Sequence, residues 1–291
     1  MYEADTMTTA GVLYVVATPI GNLDDISSRA RATLASVDLV AAEDTRRTRQ
    51  MLDSLGIRAR LVSFHQHNEN ERVSELLGTI AAGRSVALVS DAGTPLISDP
   101  GYRLVAEARR RGIAVTPVPG CCAAVAALSV AGLPSDRFHF EGFLPARSRA
   151  RAARLGELAR LTTTLIFYEA VHRADATLAD MIAAFGAERR IVVGREITKL
   201  HETFYDGTLA EVRDALAGDP GGRKGELTLV VAGSGARPAL HGELDRVVSI
   251  LCEQLPAAQA AGLAAQLTGA SRREAYAAAL RAAGEGTPEG N

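Results

Sequence analysis

The 291-residue chain predicts two consecutive α/β domains followed by a small helical unit. Three observations carry this. Over the first half, short apolar runs alternate with amphipathic stretches, the rhythm of a largely parallel sheet covered by helices. A second series of apolar runs begins after Pro134 with less regular spacing. Beyond Gly233-Ser234-Gly235 and Pro238, which read as a linker, the pattern is helical throughout.

In order, the first domain (11–133) offers strands at Val12–Ala17, Val37–Ala42, Leu61–Phe64, Ser85–Ser90 and Ile113–Val118. Between them, Glu71–Ala82 is an amphipathic helix with Asn68 or Asn70 to cap it and Gly83 to stop it. The boundary falls near Gly132-Leu133-Pro134. The second domain (134–235) offers strands at Arg137–Glu141, Thr163–Tyr168, Arg190–Arg195, Glu202–Gly207 and Glu226–Ala232, with helices over Arg149–Leu161 and Ala174–Phe185. Thr203–Tyr205 and Leu227–Val231 are expected to pair antiparallel. The tail (240–284) reads as three helices, Leu244–Leu255, Ala257–Leu267 and Arg272–Ala282, with a helix-turn-helix look. Pro256 suits a first turn, and Ser271 with Glu274 is a capping box. Residues 1–9 and 285–291 are expected to be disordered.

Composition narrows the class. With 47% hydrophobic residues the chain can build real cores. Its 32 basic and 34 acidic side chains nearly cancel, so net charge announces no nucleic-acid partner and only local clusters can. Three cysteines, two of them adjacent at Cys121 and Cys122, make no disulfide framework and no metal spacing, which suits a reducing cytoplasm. No apolar run reaches membrane-span length, and the N-terminus lacks the features of a signal peptide.

Ligands of parallel sheets sit at the carboxyl ends of the strands. Three loops there are rich in Gly, Pro and small polar residues: Thr18 to Asn22, Ser90 to Gly101 with Asp91, and Pro119 to Ala124. Each alone is explained as well by an ordinary tight turn; three on one edge are what a cleft requires. Neither a G-x-G-x-x-G nor a P-loop string is present, which counts against dinucleotide enzymes and P-loop NTPases. Glu43 to Arg49 is either a self-paired surface helix or a phosphate grip by Arg46, Arg47 or Arg49. His65 and His67 read as a polar loop rather than a metal site, lacking further ligands nearby. Arg147, Arg149, Arg151 and Arg154, with Arg272 and Arg273, form either solvated helix faces or polyanion patches. In the second domain, Tyr168, Glu169, Lys199, His201 and Glu202 are polar groups suited to acid–base work, although spacing does not show that they converge.

The strings Glu43-Asp44-Thr45-Arg46, Ser90-Asp91-Ala92-Gly93-Thr94-Pro95 and Phe140-Glu141-Gly142-Phe143-Leu144-Pro145, in this order, resemble the ribosomal RNA small subunit methyltransferase I family. The similarity runs from about Gly11 to Gly233 and continues into the tail. The resemblance implies a tetrapyrrole-methylase type of fold, with S-adenosylmethionine held in a cleft between two α/β domains, and a homodimer. It implies 2′-O-methylation of a cytidine ribose, cytidine 1402 in the decoding centre of 16S rRNA, within the 30S subunit. It implies cofactor contacts at Ile20, Asp91, Gly93, Thr94, Cys122, Ala123 and Tyr168. One departure stands out: the family usually has Pro-Gly-Pro where this chain has Pro119-Gly120-Cys121.

A ribose hydroxyl is a poor nucleophile, so a proton acceptor late in the transfer helps. Glu169, Lys199 and Asp91 are the candidates, in no order; a lysine needs a strongly lowered pKa for that role. Arg46, Arg47 and Arg49 would grip RNA phosphates. Two other readings remain: a methylase of the same fold acting on a tetrapyrrole or a protein, and a non-catalytic RNA-binding assembly factor.

Overall fold

The computed structural model describes residues 11–66, 68–219, 225–235, 240–268 and 270–282. The expectations made for residues 1–9 and 285–291, and for His67 and Pro238, lie outside the described residues.

The first sheet holds β1 (Val12–Val16), β2 (Leu39–Ala42), β3 (Leu61–Ser63), β4 (Val86–Val89) and β5 (Ala114–Val118), in the order β3-β2-β4-β1-β5. Every pairing in it is parallel. The crossovers carry α1 (Ser28–Ser36), α2 (Thr45–Ser54), α3 (Glu69–Ala81) and α4 (Tyr102–Arg110). Both faces are covered, as a parallel sheet requires. Val86 and Leu88 of β4 join Leu13, Phe64, Leu76, Leu77 and Leu104 in one core, while Ala87 and Val89 turn to Val16, Leu34, Val40 and Leu52 in another. This alternation explains why β4 reads as a continuous apolar run. The order also makes β4, β1 and β5 neighbours, so the loops leaving these three strands lie side by side on one edge.

The second sheet holds β6 (Phe138–Phe143), β7 (Thr164–Ala170), β8 (Arg190–Arg195), β9 (Thr203–Thr208) and β10 (Glu226–Val231), in the order β6-β7-β10-β8-β9. Only β6 and β7 run parallel; the other pairs are antiparallel. The expected pairing of Thr203–Tyr205 with Leu227–Val231 does not occur. β10 lies between β7 and β8, and β9 pairs with β8 from Arg195↔Thr203 to Arg190↔Thr208. The physical reason is burial: Leu229, Val230 and Val231 are apolar on both faces and suit a central strand, whereas β9 exposes Phe204 and Asp206 and suits an edge.

Between the sheets runs α5 (Ala123–Val130), whose Ala124, Ala127, Leu128 and Ala131 pack on Ile166, Val192, Ile197 and Val230 of the second sheet. α6 (Ser148–Leu158), α7 (Ala174–Phe185) and α8 (Leu209–Gly218) complete this part. α8 opens on a reciprocal cap, Thr208 Oγ1 accepting from the Glu211 amide and Glu211 accepting from the Thr208 amide. Thr208→Ala is therefore expected to cost about 1 kcal/mol, read as a lower urea midpoint with unchanged slope. Asn68 precedes α3 but caps nothing. Its Oδ1 accepts from the His65 amide and its Nδ2 donates to Ser63 O, so it shapes the loop after β3 instead.

By compactness the chain divides into two units. One runs to Leu155 and resumes over Thr164–Ala232, so both sheets belong to it. The other takes Gly156–Thr163 and the chain from Gly233 onward. The second unit contains α9 (Leu240–Cys252), α10 (Ala257–Thr268) and α11 (Arg272–Ala282), packed through Leu244, Val248, Ala261, Ala264, Ala275 and Ala278. The many alanines let these helices approach closely. Ser271 and Glu274 exchange the hydrogen bonds of the expected capping box. No helix among the described residues is long and apolar enough to cross a membrane.

Candidate active site

The three Gly/Pro loops are stitched together. Thr18 and Gly93 form an isolated antiparallel bridge, with amide-to-carbonyl distances of 2.9 and 3.0 Å. Thr94 Oγ1 donates to Cys121 O at 2.9 Å and so ties the second loop to the third. Gly120 must be small, because a Cβ there would lie 2.9 Å from that of Ala17. Facing these loops are the end of β7, the start of β10 and the turn between β8 and β9. The turn closes on the first loop. Thr198 Oγ1 accepts from the Asn22 amide at 3.2 Å, and a Cβ on Gly21 would overlap Lys199 Cγ.

Together these segments enclose a cavity of about 370 Å³, within the range of small-molecule sites. Ile20, Asp91, Gly93, Thr94, Cys122, Ala123 and Tyr168 all line it. Non-glycine residues with positive φ among the described residues are Leu96, Ser98, Glu196 and Thr198, and all four belong to the two loops that border the cavity. Such backbone costs on the order of 1–3 kcal/mol per residue, and it tends to be retained where a site needs it.

Several polar groups in the cavity wall are already committed. Tyr168 Oη accepts from the Ala124 amide at 3.1 Å, serving as the N-terminal cap that Cys122 does not provide. Its ring meets the edges of Phe140 and Phe143 at 5.1 and 5.7 Å. Burial, above all, pushes its phenol upward in pKa, so it stays neutral. Asp91 accepts from the Asp44 amide at 2.9 Å and from Arg47 at 3.2 Å.

Two of the proton-acceptor candidates, Glu169 and Lys199, line the cavity and are engaged by their surroundings. The Glu169 side chain is 1% exposed, and its carboxylate accepts from Thr177 Oγ1 at 2.6 Å and from the Ala170 amide at 2.8 Å. Arg173 Nε stands 3.2 Å from the same carboxylate, an ion-pair contact without the alignment of a hydrogen bond. Arg173 in turn donates to Leu144 O and Pro145 O. Glu169 thus anchors the wall of the cavity that it lines. Lys199 Nζ lies 2.8 Å from Glu196 and 3.1 Å from Glu226. Burial lowers its pKa, but the two carboxylates outweigh burial and the net shift is upward. A neutral lysine base is therefore disfavoured.

The arginines separate. Arg46 turns back on Asp44, holding that carboxyl at about 2 through hydrogen bonding, yet its side chain is 90% exposed. Arg47 is exposed and reaches the cavity rim through Asp91. Arg49 donates to Ala59 O at 3.1 Å and serves the loop before β3. Arg151 is buried on Asp180 and Arg154 pairs with Glu141, so these two are structural cations. Among the described residues no cluster has the make-up of a metal site.

Sequence reasoning passed over Glu43 and Asp99 as acids. Both line the cavity beside Asp91. Burial first, then the Asp91 charge, raises Glu43; burial, then Glu43, lifts Asp99 to about 6. The signal was present in Asp99-Pro100-Gly101, but only the fold brings that loop back over the cavity.

The chain can now be set beside known proteins. Residues 12–213 match the tetrapyrrole (corrin/porphyrin) methylases, and residues 238–283 match the RsmI C-terminal HTH domain. Ribosomal RNA small subunit methyltransferase I of Xylella fastidiosa is 52% identical over 93% of this chain and 99% of its own length. That of Pseudomonas aeruginosa is 50% identical over 95% and 99%. The chain belongs to the ribosomal RNA small subunit methyltransferase I family. The tetrapyrrole-methylase fold of this family extends to distant structures. Uroporphyrin-III-C-methyltransferase from Thermus thermophilus superposes with a TM-score of 0.55 at 21% identity, covering 80% of this chain and 98% of that one. Diphthine synthase does so at 0.56 and 18%, covering 76% and 90%. Cys121 donates its thiol to Asp25 O at 3.5 Å, a contact between the third loop and the helical turn that follows the first.

Proposed function

We propose that this protein transfers a methyl group to the ribose 2′-oxygen of a cytidine, cytidine 1402, in the decoding centre of 16S rRNA within the 30S subunit. The cofactor is S-adenosylmethionine, which supplies a methyl activated on a sulfonium. The observation that carries the reading is the cavity: three stitched loops offer backbone amides and glycine faces, carboxylates line the wall, and the exposed Arg47 stands at its rim. The residues fit the cofactor. Gly93 and Ala123 allow close backbone approach, Ile20 and the Tyr168 ring supply apolar contact, Cys122 and Thr94 frame the amides, and Asp91 keeps lone pairs for a hydroxyl or amino group. The chain's own tasks are to hold the 2′-oxygen in line and to exclude water.

Arg46 and Arg47 would take the RNA backbone, with Arg49 kept to its loop. The RNA-substrate reading is supported by the names of relatives about half identical over nearly the whole chain. A homodimer in the cytoplasm completes the proposal; exposed Tyr102, Val125 and Val130 and three free cysteines accord with it. The test is incubation with labelled S-adenosylmethionine and 30S subunits from a strain lacking this gene, followed by mapping. Label on a ribose of 16S rRNA is expected; label on a base or on protein would overturn the reading. Arg46→Ala is expected to lower RNA affinity several-fold and reduce the salt slope by about 1, leaving cofactor affinity unchanged in calorimetry.

A further inference from the structure

Of the acids that line the cavity, Glu43 after β2 and Asp91 and Asp99 after β4 come close together, and they are not equivalent. Asp91 is held by the Asp44 amide and by Arg47. Glu43 feels the charge of Asp91 and those of Arg47 and His65, which oppose it. Asp99 has no cation within ion-pair distance among the described residues, and the neighbouring Ser90 hydroxyl donates to Ala92 O and Gly93 O. Leu96 at φ 75° and Ser98 at φ 67° fold the Thr94–Pro100 loop so that Asp99 returns over the cavity rather than into solvent. Gly142 accommodates this loop, since a Cβ there would lie 2.8 Å from Ser98 Oγ. The fold therefore places a half-buried, cation-free carboxylate on the cavity wall at the expense of two strained residues.

Resting on the methyltransferase reading above, we propose that Asp99 is the catalytic proton acceptor for the ribose hydroxyl. As the 2′-oxygen bonds the methyl carbon, the carbon–sulfur bond opens with its electron pair left on sulfur. The hydroxyl proton passes to an Asp99 carboxylate oxygen and then to solvent. The groups that face Asp99 are Glu43, Asp91, the Tyr168 hydroxyl and the Ser90 hydroxyl. Burial first, and then the two carboxylates, favour its protonated form, so Asp99 must lose its proton near pH 6 before it can act. A base tuned towards neutrality takes a proton better than an ordinary aspartate.

The experiment is single-turnover methyl transfer to 30S subunits as a function of pH, for the full chain, Asp99→Asn and Asp99→Glu. Calorimetry with S-adenosylmethionine and with the uncharged S-adenosylhomocysteine accompanies it. The full chain is expected to lose about tenfold in rate per pH unit below about 6. Asp99→Asn is expected to lose at least about 100-fold at pH 7.5 and the acid limb with it, binding both cofactor forms within about threefold. Asp99→Glu should recover part of the rate and an acid limb. Asp99→Asn retaining the full rate and limb would overturn the proposal. So would a variant that loses S-adenosylmethionine selectively while binding the homocysteine normally, since Asp99 would then pair with the sulfonium charge. If the full chain itself transfers nothing to rRNA, the functional reading fails first, and this inference falls with it.

Discussion

Glu169→Ala is expected to destabilise the protein by about 3 kcal/mol, the range for removing one partner of a buried ion pair. The reason lies in what the carboxylate holds. Without it the Thr177 hydroxyl, itself fully buried, loses its acceptor, and the Arg173 guanidinium keeps only the carbonyls of Leu144 and Pro145. Glu169→Gln preserves shape and one acceptor and should cost less, about 1–2 kcal/mol. Urea unfolding measures both. Methyl transfer by folded Glu169→Gln at 20 °C should stay within about tenfold of the parent, because the carboxylate anchors the wall and does not handle the proton. A loss above about 1,000-fold with intact stability would return Glu169 to the catalytic set.

Gly93→Val is expected to abolish useful cofactor binding. Gly93 has φ 80°, where a β-branched residue is a steric outlier, and its peptide bridges Thr18 in both directions. A Cβ would press on Ile20 Cγ2 at 3.3 Å, and the branched methyls would project into the cavity that Gly93 lines. Backbone strain alone is worth on the order of 1–3 kcal/mol. The affinity for S-adenosylmethionine should fall at least about 100-fold, or about 2.7 kcal/mol. Gly112→Ala supplies the control: φ is 71° but nothing lies within 4 Å of a Cβ, so it should carry strain and leave calorimetric binding unchanged. Wild-type affinity in Gly93→Val would show that the cofactor does not use this loop.

The raised acids give a pH signature of the opposite sign to ordinary salt-bridged carboxylates. Folding raises Asp99 from the usual aspartate range to about 6. The native state therefore binds this proton more tightly, and its stabilising share is complete below about 4 and lost as pH rises through 6. Asp99→Asn should accordingly melt higher than the parent at pH 8, while this advantage vanishes towards pH 4. Because the group is substantially solvated, the gain is on the order of 1 kcal/mol rather than the full value of its shift.

All ten strands, α7 and the three tail helices are legible in the chain because their apolar spacing is local. Helix α7 matches its expected bounds at Ala174–Phe185, and the Ser271–Glu274 box forms as its spacing predicts. The three small-residue loops are legible too, since glycine and proline act on their own backbone. What the chain alone determined is therefore a set of elements, one loop-rich sheet edge and a family likeness. Strand order is another matter. Nothing local tells β10 to enter between β7 and β8, because that choice compares the burial of β10 with that of β9 across the whole sheet. The division of labour among polar side chains is likewise tertiary. Tyr168 caps a helix 44 residues away, Glu169 is locked to Thr177 and Arg173, and Lys199 is held charged by Glu196 and Glu226. Asp99 gains its raised pKa from its burial in the folded chain first, and then from the carboxylates of Glu43 and Asp91 that the fold brings beside it. Protonation and hydrogen bonding depend on distance through space, and only the folded chain sets those distances.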